Sequence, residues 1–181
     1  MKTIVVVLSA MCLSAAAVAA AGGQDKPPLR TVPSVDLQKY MGTWYEIAAF
    51  PQKFQKGCHC TKATYEMTEK DYVRVINSCR KDSADGKEKI AKGKAFIVEG
   101  TGNAKLKVQF FWPFRGDYWI IELAEDYSHV VVGAPDRDYL WILARTPKID
   151  ETLYKDIVAR CAEKAFDIGR LVMTDQGCAG R

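Results

Sequence analysis

Between Gly42 and Thr146 the chain is a succession of short apolar stretches broken by turn residues, and no stretch there is long and periodic enough to make a helix. Some stretches alternate residue by residue. In 62–67, Ala63, Tyr65 and Met67 share one face while Lys62, Thr64 and Glu66 share the other; in 105–110, Leu106, Val108 and Phe110 oppose Lys105, Lys107 and Gln109. A period of two is the mark of a half-buried strand. Turn signals at Glu69-Lys70-Asp71, Asp85-Gly86 and Gly100-Thr101-Gly102-Asn103 separate the runs. The pattern predicts strands near 44–51, 60–68, 72–79, 91–99, 105–111, 117–124, 128–133 and 139–145. Eight strands in a meander leave two unpaired edges unless the first meets the last, so the expectation is an all-β, eight-stranded antiparallel up-and-down barrel.

Two strands break the alternation. Val130-Val131-Val132 and Leu140-Trp141-Ile142-Leu143-Ala144 are apolar on both faces, so their outer side needs a cover. The one long helical pattern follows them: after Asp150 as N-cap, Leu153, Ile157, Val158, Cys161, Ala162 and Ala165 form a stripe, opposite Lys155, Asp156, Arg160, Glu163 and Lys164. This predicts one C-terminal α-helix packed on the outside of the barrel, ended by Gly169, with Leu171 to Thr174 free to add a last strand. A short helical turn is expected over Ser34–Tyr40, capped by Asp36 or Ser34.

The chain opens with a single charge at Lys2 and an uncharged run from Ile4 to Ala21, which reads as an export signal over residues 1–21. Ala17-Val18-Ala19 and Ala19-Ala20-Ala21 both suit the small-x-small site, and cleavage is expected near Ala21. A Pro-rich lead over 22–33, extended and without structure of its own, then precedes one domain at 34–181. The net charge of +4 loses only Lys2 with the signal. Its basic residues are scattered among acidic ones, which argues against nucleic acid as a partner.

Five cysteines follow the signal, Cys58, Cys60, Cys79, Cys161 and Cys178. In an exported chain they point to two bridges and one spare thiol. The spare is assigned to Cys161, on the apolar stripe of the helix.

Gly42-Thr43-Trp44, preceded by Val35-Asp36-Leu37 and Tyr40, resembles the G-x-W signature that opens lipocalin barrels. Gly133-Ala134-Pro135-Asp136-Arg137-Asp138-Tyr139 resembles the family's T/R-D-Y motif, and Arg145 stands where its single marked arginine stands. With Lys94-Ala95-Phe96 and Phe110-Phe111-Trp112-Pro113-Phe114, the chain after residue 33 is most similar to the bacterial lipocalins related to apolipoprotein D. The resemblance makes Gly42, Trp44, Asp138, Tyr139 and Arg145 structural, with Trp44 sealing the closed end and Arg145 packed on its indole. It also implies a bond from the start of the second strand to the tail, Cys60 or Cys58 with Cys178, leaving the other for Cys79. A simple hairpin register sets Cys79 opposite Thr61, so that second bridge requires a bulge or a strand end.

The implied function is non-catalytic binding, storage or transport of a lipophilic small molecule, such as a fatty acid, a lysophospholipid or a similar membrane-derived lipid, with no cofactor. The cup lining is expected to come from Phe50, Tyr65, Val75, Phe96, Val108, Phe110, Tyr118, Ile120, Tyr139 and Trp141. Bacterial members of the group are often lipoproteins, but Cys12 follows the bulky Met11 within the apolar run, so the expected location is the periplasm or beyond, without an anchor. Two other classes compete. A rare barrel enzyme acting on a lipid-like substrate would leave the fold unchanged, although no G-x-S-x-G elbow occurs; Asp136, Asp138 and Glu122 are its candidate paired carboxylates, yet Asp-Arg-Asp in a turn reads as capping and solvation. A protein-binding module would use the rim, where an exposed group of Phe111, Trp112, Phe114 and Trp119 would also suit transient contact with the outer membrane. His59 between two cysteines offers soft-metal ligands, yet exported cysteines pair and His129 is distant in sequence, so no metal is expected. Monomer and dimer both remain open.

Overall fold

The computed structural model describes residues 26–178, so the expected export signal lies outside the described residues. A four-residue helix α1 (Leu37–Tyr40), whose N-cap Asp36 accepts from the amides of Gln38 and Lys39, leads into the barrel. The strands are β1 (Gly42–Ala49), β2 (Cys58–Glu66), β3 (Val73–Lys81), β4 (Glu88–Ile97), β5 (Lys105–Phe111), β6 (Phe114–Leu123), β7 (His129–Gly133) and β8 (Leu140–Ala144). All are antiparallel neighbours in sequence order, and β1 pairs with both β2 and β8, which closes the sheet. A two-residue strand β9 (Val172–Met173) adds to β1 at Ala48 and Ala49.

Two layers of core follow from the alternation. Inside, Trp44, Val73, Leu106, Ile120, Val130 and Val132 pack the closed end, where α1 and the 67–72, 98–104 and 124–128 connections lie. Outside, Val131, Leu140, Ile142 and Ala144 face the helix α2 (Glu151–Glu163), against Ile157 and Cys161. The doubly apolar strands β7 and β8 are therefore covered as their sequence required. Arg160 of α2 grips the Glu122 carboxylate of β6 with two hydrogen bonds of 2.7 and 3.0 Å, beside His129 and Lys164. Glu122 thus faces the helix and stands apart from any carboxylate pair.

Two expectations need correction. The helix stops at Glu163 rather than Gly169, because Ala165 takes a left-handed φ of 62° and turns the chain so that Phe166 can enter the outer core. Gly169 lies in a following 3-10 turn, Ile168–Arg170. The lead, although without regular structure, is bound along the barrel. Leu29 is buried in the outer core, the Val32 amide donates to Ile120 and the Val35 amide donates to Gly102. Gly102 is required there, since a Cβ would stand 2.1 Å from the Pro33 carbonyl oxygen.

Arg137, buried in the 134–139 connection, donates to the carbonyls of Pro27, Pro135 and Lys164. One guanidinium thereby joins the lead, the β7–β8 turn and the end of α2. At the closed end, Arg145 lies 3.8 Å over the Trp44 ring and donates to the carbonyls of Thr43, Lys39 and Tyr40, while Trp44 Nε1 donates to the Tyr40 carbonyl at 2.8 Å.

The bridges are Cys58–Cys79 and Cys60–Cys178, with Cys161 free and buried. Of the bulge or strand end that the hairpin register called for, the structure has a bulge: pairing jumps from His59–Arg80 to Lys62–Ser78, with Cys60 at φ 53°. Removing Cys60–Cys178, which spans 118 residues, by Cys60→Ala with Cys178→Ala is expected to cost about 2–4 kcal/mol. Denaturant unfolding should show this loss exceeding that of Cys58→Ala with Cys79→Ala, which span 21 residues, by roughly 1.5 kcal/mol on loop length alone.

Candidate functional site

Above the packed closed end the barrel holds a cavity of about 280 Å³ that opens at the opposite end. Inward positions of successive strands build its wall: Tyr65 and Ala63 from β2, Val75 and Asn77 from β3, Val108 and Phe110 from β5, Tyr118 from β6, and Trp141 and Leu143 from β8. Tyr139, just ahead of β8, stacks on Trp141 with ring centroids 5.8 Å apart and 18° between planes. A 3-10 turn, Lys53–Gln55, brings Phe54 and Gln55 to the mouth.

The cavity therefore gathers seven of the expected lining residues, Tyr65, Val75, Val108, Phe110, Tyr118, Tyr139 and Trp141. Three lie elsewhere. Phe50 is buried outside the barrel, 6.3 Å from the Phe166 ring, because a bulge between Glu46 and Ala48 reverses the phase of β1. Phe96 is outward, since its neighbour Ala95 is the inward residue; it packs on Tyr72 with Arg115 over its ring. Ile120 does point inward but sits in the filled closed end.

At the cavity's deep end three phenols form a chain. Tyr118 Oη lies 2.7 Å from Tyr40 Oη and 2.8 Å from Tyr65 Oη. Burial pushes all three hydroxyls up, Tyr65 to about 12, so the floor is uncharged. Asn77 Oδ1 is buried on the wall with no hydrogen-bond partner, the one such side-chain atom among the described residues.

Nearer the mouth, Glu46 is buried, accepting from Gln55 Nε2 and Thr174 Oγ1, each at 2.7 Å. Desolvation raises its carboxyl above the ordinary range despite those two donors. Trp141 Nε1 donates to Gln55 Oε1 at 3.4 Å, so the aromatic wall and the mouth turn are linked through this group. The two-residue strand period counted from inward Trp44 signals Glu46 in the sequence; Asn77 shares the face of Val73 and Val75. Phe54 carries no such signal, being in a loop.

Other candidates are accounted for structurally. Both cysteines beside His59 are in bridges, and its ring nitrogen lies 3.0 Å from Asp175. Asp136 Oδ1 accepts from the Asp138 amide, as in a local turn, and Asp138 pairs with Arg170. Burial raises the Cys161 thiol to about 12, which keeps it protonated. Phe111, Trp112 and Phe114 stand 78, 86 and 77 % exposed at the β5–β6 turn, on the mouth end. Trp119 is not with them: Lys105 covers its ring at 3.9 Å and its indole N–H donates to Asp117 Oδ1 at 3.1 Å.

A model described as a lipocalin-like domain matches residues 35–176. Temperature-induced lipocalin-1 of Arabidopsis thaliana is 37% identical over 161 residues, covering 84% of this chain and 85% of that protein. Outer membrane lipoprotein Blc of Escherichia coli K12 is 36% identical over 165 residues, covering 90% and 93%. Apolipoprotein D of Bos taurus is 33% identical over 162 residues, covering 83% and 80%. Among solved structures, insecticyanin of the tobacco hornworm Manduca sexta superposes with a TM-score of 0.65 at 22% identity, over 82% of this chain and 85% of that one.

A carboxyl whose folded value is raised contributes stability below its unfolded value near 4.5 and loses it as pH climbs through the folded value. Glu46→Gln is therefore expected to gain relative to the native chain as pH rises from about 4.5 to 7.5, a trend that urea midpoints across that range would read.

Proposed function

The chain belongs to the lipocalin family, and from that premise we propose that its cup binds, stores or transports a membrane-derived lipid, such as a fatty acid or a lysophospholipid, without catalysis. The observation that carries this reading is the cavity itself: a blind, largely apolar and aromatic hollow with one mouth, floored by uncharged hydroxyls. A hollow of about 280 Å³ with a single mouth suits one acyl chain better than two. The two carboxylates that line it, Glu46 and Asp117, are engaged by Gln55 and Thr174 and by Lys107.

Location in the periplasm or outside the cell, free of a lipid anchor, is part of the same proposal. Two disulfides support export, and among the described residues no helix is long and apolar enough to cross a membrane. The relative in Escherichia coli is named as an outer membrane lipoprotein. For this chain we propose transient contact with such a membrane through the exposed tip of Phe111, Trp112 and Phe114. Trp112 suits the interfacial zone, and Arg115, Lys53 and Lys56 lie on or across the same rim.

Organic extraction of the purified protein followed by mass spectrometry is expected to recover lipid, and added fatty acid should quench tryptophan fluorescence saturably. Ala63→Trp, which fills the wall from β2, should abolish that saturation while leaving the circular dichroism of the barrel intact. A chain that neither carries lipid nor responds to it would end the carrier reading. For the rim, co-sedimentation with anionic vesicles is expected to fall at least tenfold in Trp112→Ser/Phe114→Ser with lipid binding in solution unchanged; undiminished sedimentation would remove the membrane contact.

A further inference from the structure

The polar lining of the cavity falls into two groups: Glu46, Gln55, Lys62 and Asp117 nearer the mouth, and a neutral set of phenols and one carboxamide at the blind end and on the adjoining wall. Three phenols share two hydrogen bonds, so one hydroxyl proton is left over. Tyr40 lies beneath the cavity, so it is from Tyr118 or Tyr65, the two phenols that line the hollow, that the spare proton can reach a ligand. Asn77 adds a carboxamide. Its oxygen is buried and unpartnered. Val75 pairs with Tyr65 across the β2–β3 ladder, and Asn77 stands one inward position from Val75 towards the mouth. The deep end thus offers a phenolic donor and, one step above it, both a donor and an acceptor.

A buried polar group without a partner is unfavourable, and a ligand that completes it gains the difference. A charged headgroup gains nothing comparable there. The nearest ionisable lining groups are spoken for, Glu46 by Gln55 and Thr174 and Asp117 by Lys107, while Lys62 lies three residues nearer the mouth than Tyr65. Stripping water from a phosphate, carboxylate or ammonium in that neutral floor would go uncompensated.

We infer that the cup takes its ligand polar end first, and that this end is an uncharged group that both donates and accepts hydrogen bonds, a single-chain alcohol or primary amide, held between Asn77 and the Tyr118–Tyr65 hydroxyls. The inference rests on the carrier reading: it keeps the single-chain membrane-derived lipid and replaces the charged headgroup of the fatty acid and the lysophospholipid with a neutral one. An ionised fatty acid or a lysophospholipid, by contrast, would sit tail first with its head outside the floor.

Four probes of one chain length separate these cases: dodecan-1-ol, dodecanamide, dodecanoate and lauroyl lysophosphatidylcholine, titrated into the whole protein at pH 8 by calorimetry. The alcohol and amide are expected to bind about tenfold more tightly than the two charged probes. Asn77→Leu and, separately, Tyr118→Phe should each weaken the alcohol and amide about fivefold to tenfold, the range of one lost hydrogen bond, and leave the charged probes unchanged. Equal binding of all four, preference for a charged probe, or a preference that survives both substitutions overturns the inference while leaving the carrier reading standing. A cup that takes none of the four removes the carrier reading itself. Because Asn77→Leu and Tyr118→Phe act at different strands, loss of fold in one still leaves the other to decide.

Discussion

Everything in this molecule depends on β1 being hydrogen-bonded on both sides, to β2 through Gly42–Tyr45 and to β8 through Tyr45–Ala49. A strand satisfied along both ladders leaves no open edge in the barrel, and it forces the sheet to curl around its own side chains. Curling costs regularity. The bulges at Glu46–Ala48, at Cys60–Thr61 and between Ile120 and Glu122 are where the extra residues are absorbed. Those bulges also create function. The first leaves Glu46 inside and sends Ile47, Ala48 and Phe50 outward to the helix; the second puts Cys60 and Cys58 within reach of different partners.

Closure at one end and openness at the other follow from where the large side chains fall. Trp44, held by Arg145 and by the Tyr40 carbonyl, fills the bottom together with residues from the lead, and above it the inward residues leave a hollow between them. Ala63, Asn77 and Val75 on one side face Val108 and Tyr118 on the other, and the space between is the cavity. The packed half supplies the rigidity that lets the hollow half persist.

Much of this was legible in the sequence, because alternation in β5 or the two-faced apolarity of β7 and β8 has a direct structural meaning. Even an irregularity in the β2–β3 hairpin, a bulge or a strand end, could be expected, from a Cys79 that a regular register sets opposite Thr61. What alternation does not encode is depth along the barrel: Ile120 is inward as expected, yet lies in the filled half. Nor does it survive a bulge, which is why Phe50 turned out against Phe166. Phe96 illustrates a third limit, since Ala95 beside it is small and the larger residue invites the wrong phase. Arg137 was hidden for another reason. Its partners are backbone carbonyls 110 and 27 residues away, and carbonyls leave no trace in composition.

The path of the lead has a consequence for how the molecule would hang from a surface. The segment runs down the outside of the barrel, from Lys26 and Pro27 at the 134–139 connection to Val35 beside Gly102. The backbone thus enters on the mouth side and is stitched in place before the first strand begins. Any tether joined ahead of residue 26 would pull on the rim, tilting the opening toward its anchorage and leaving the sealed base pointing away, so that attachment and cargo exchange would share one pole of the molecule.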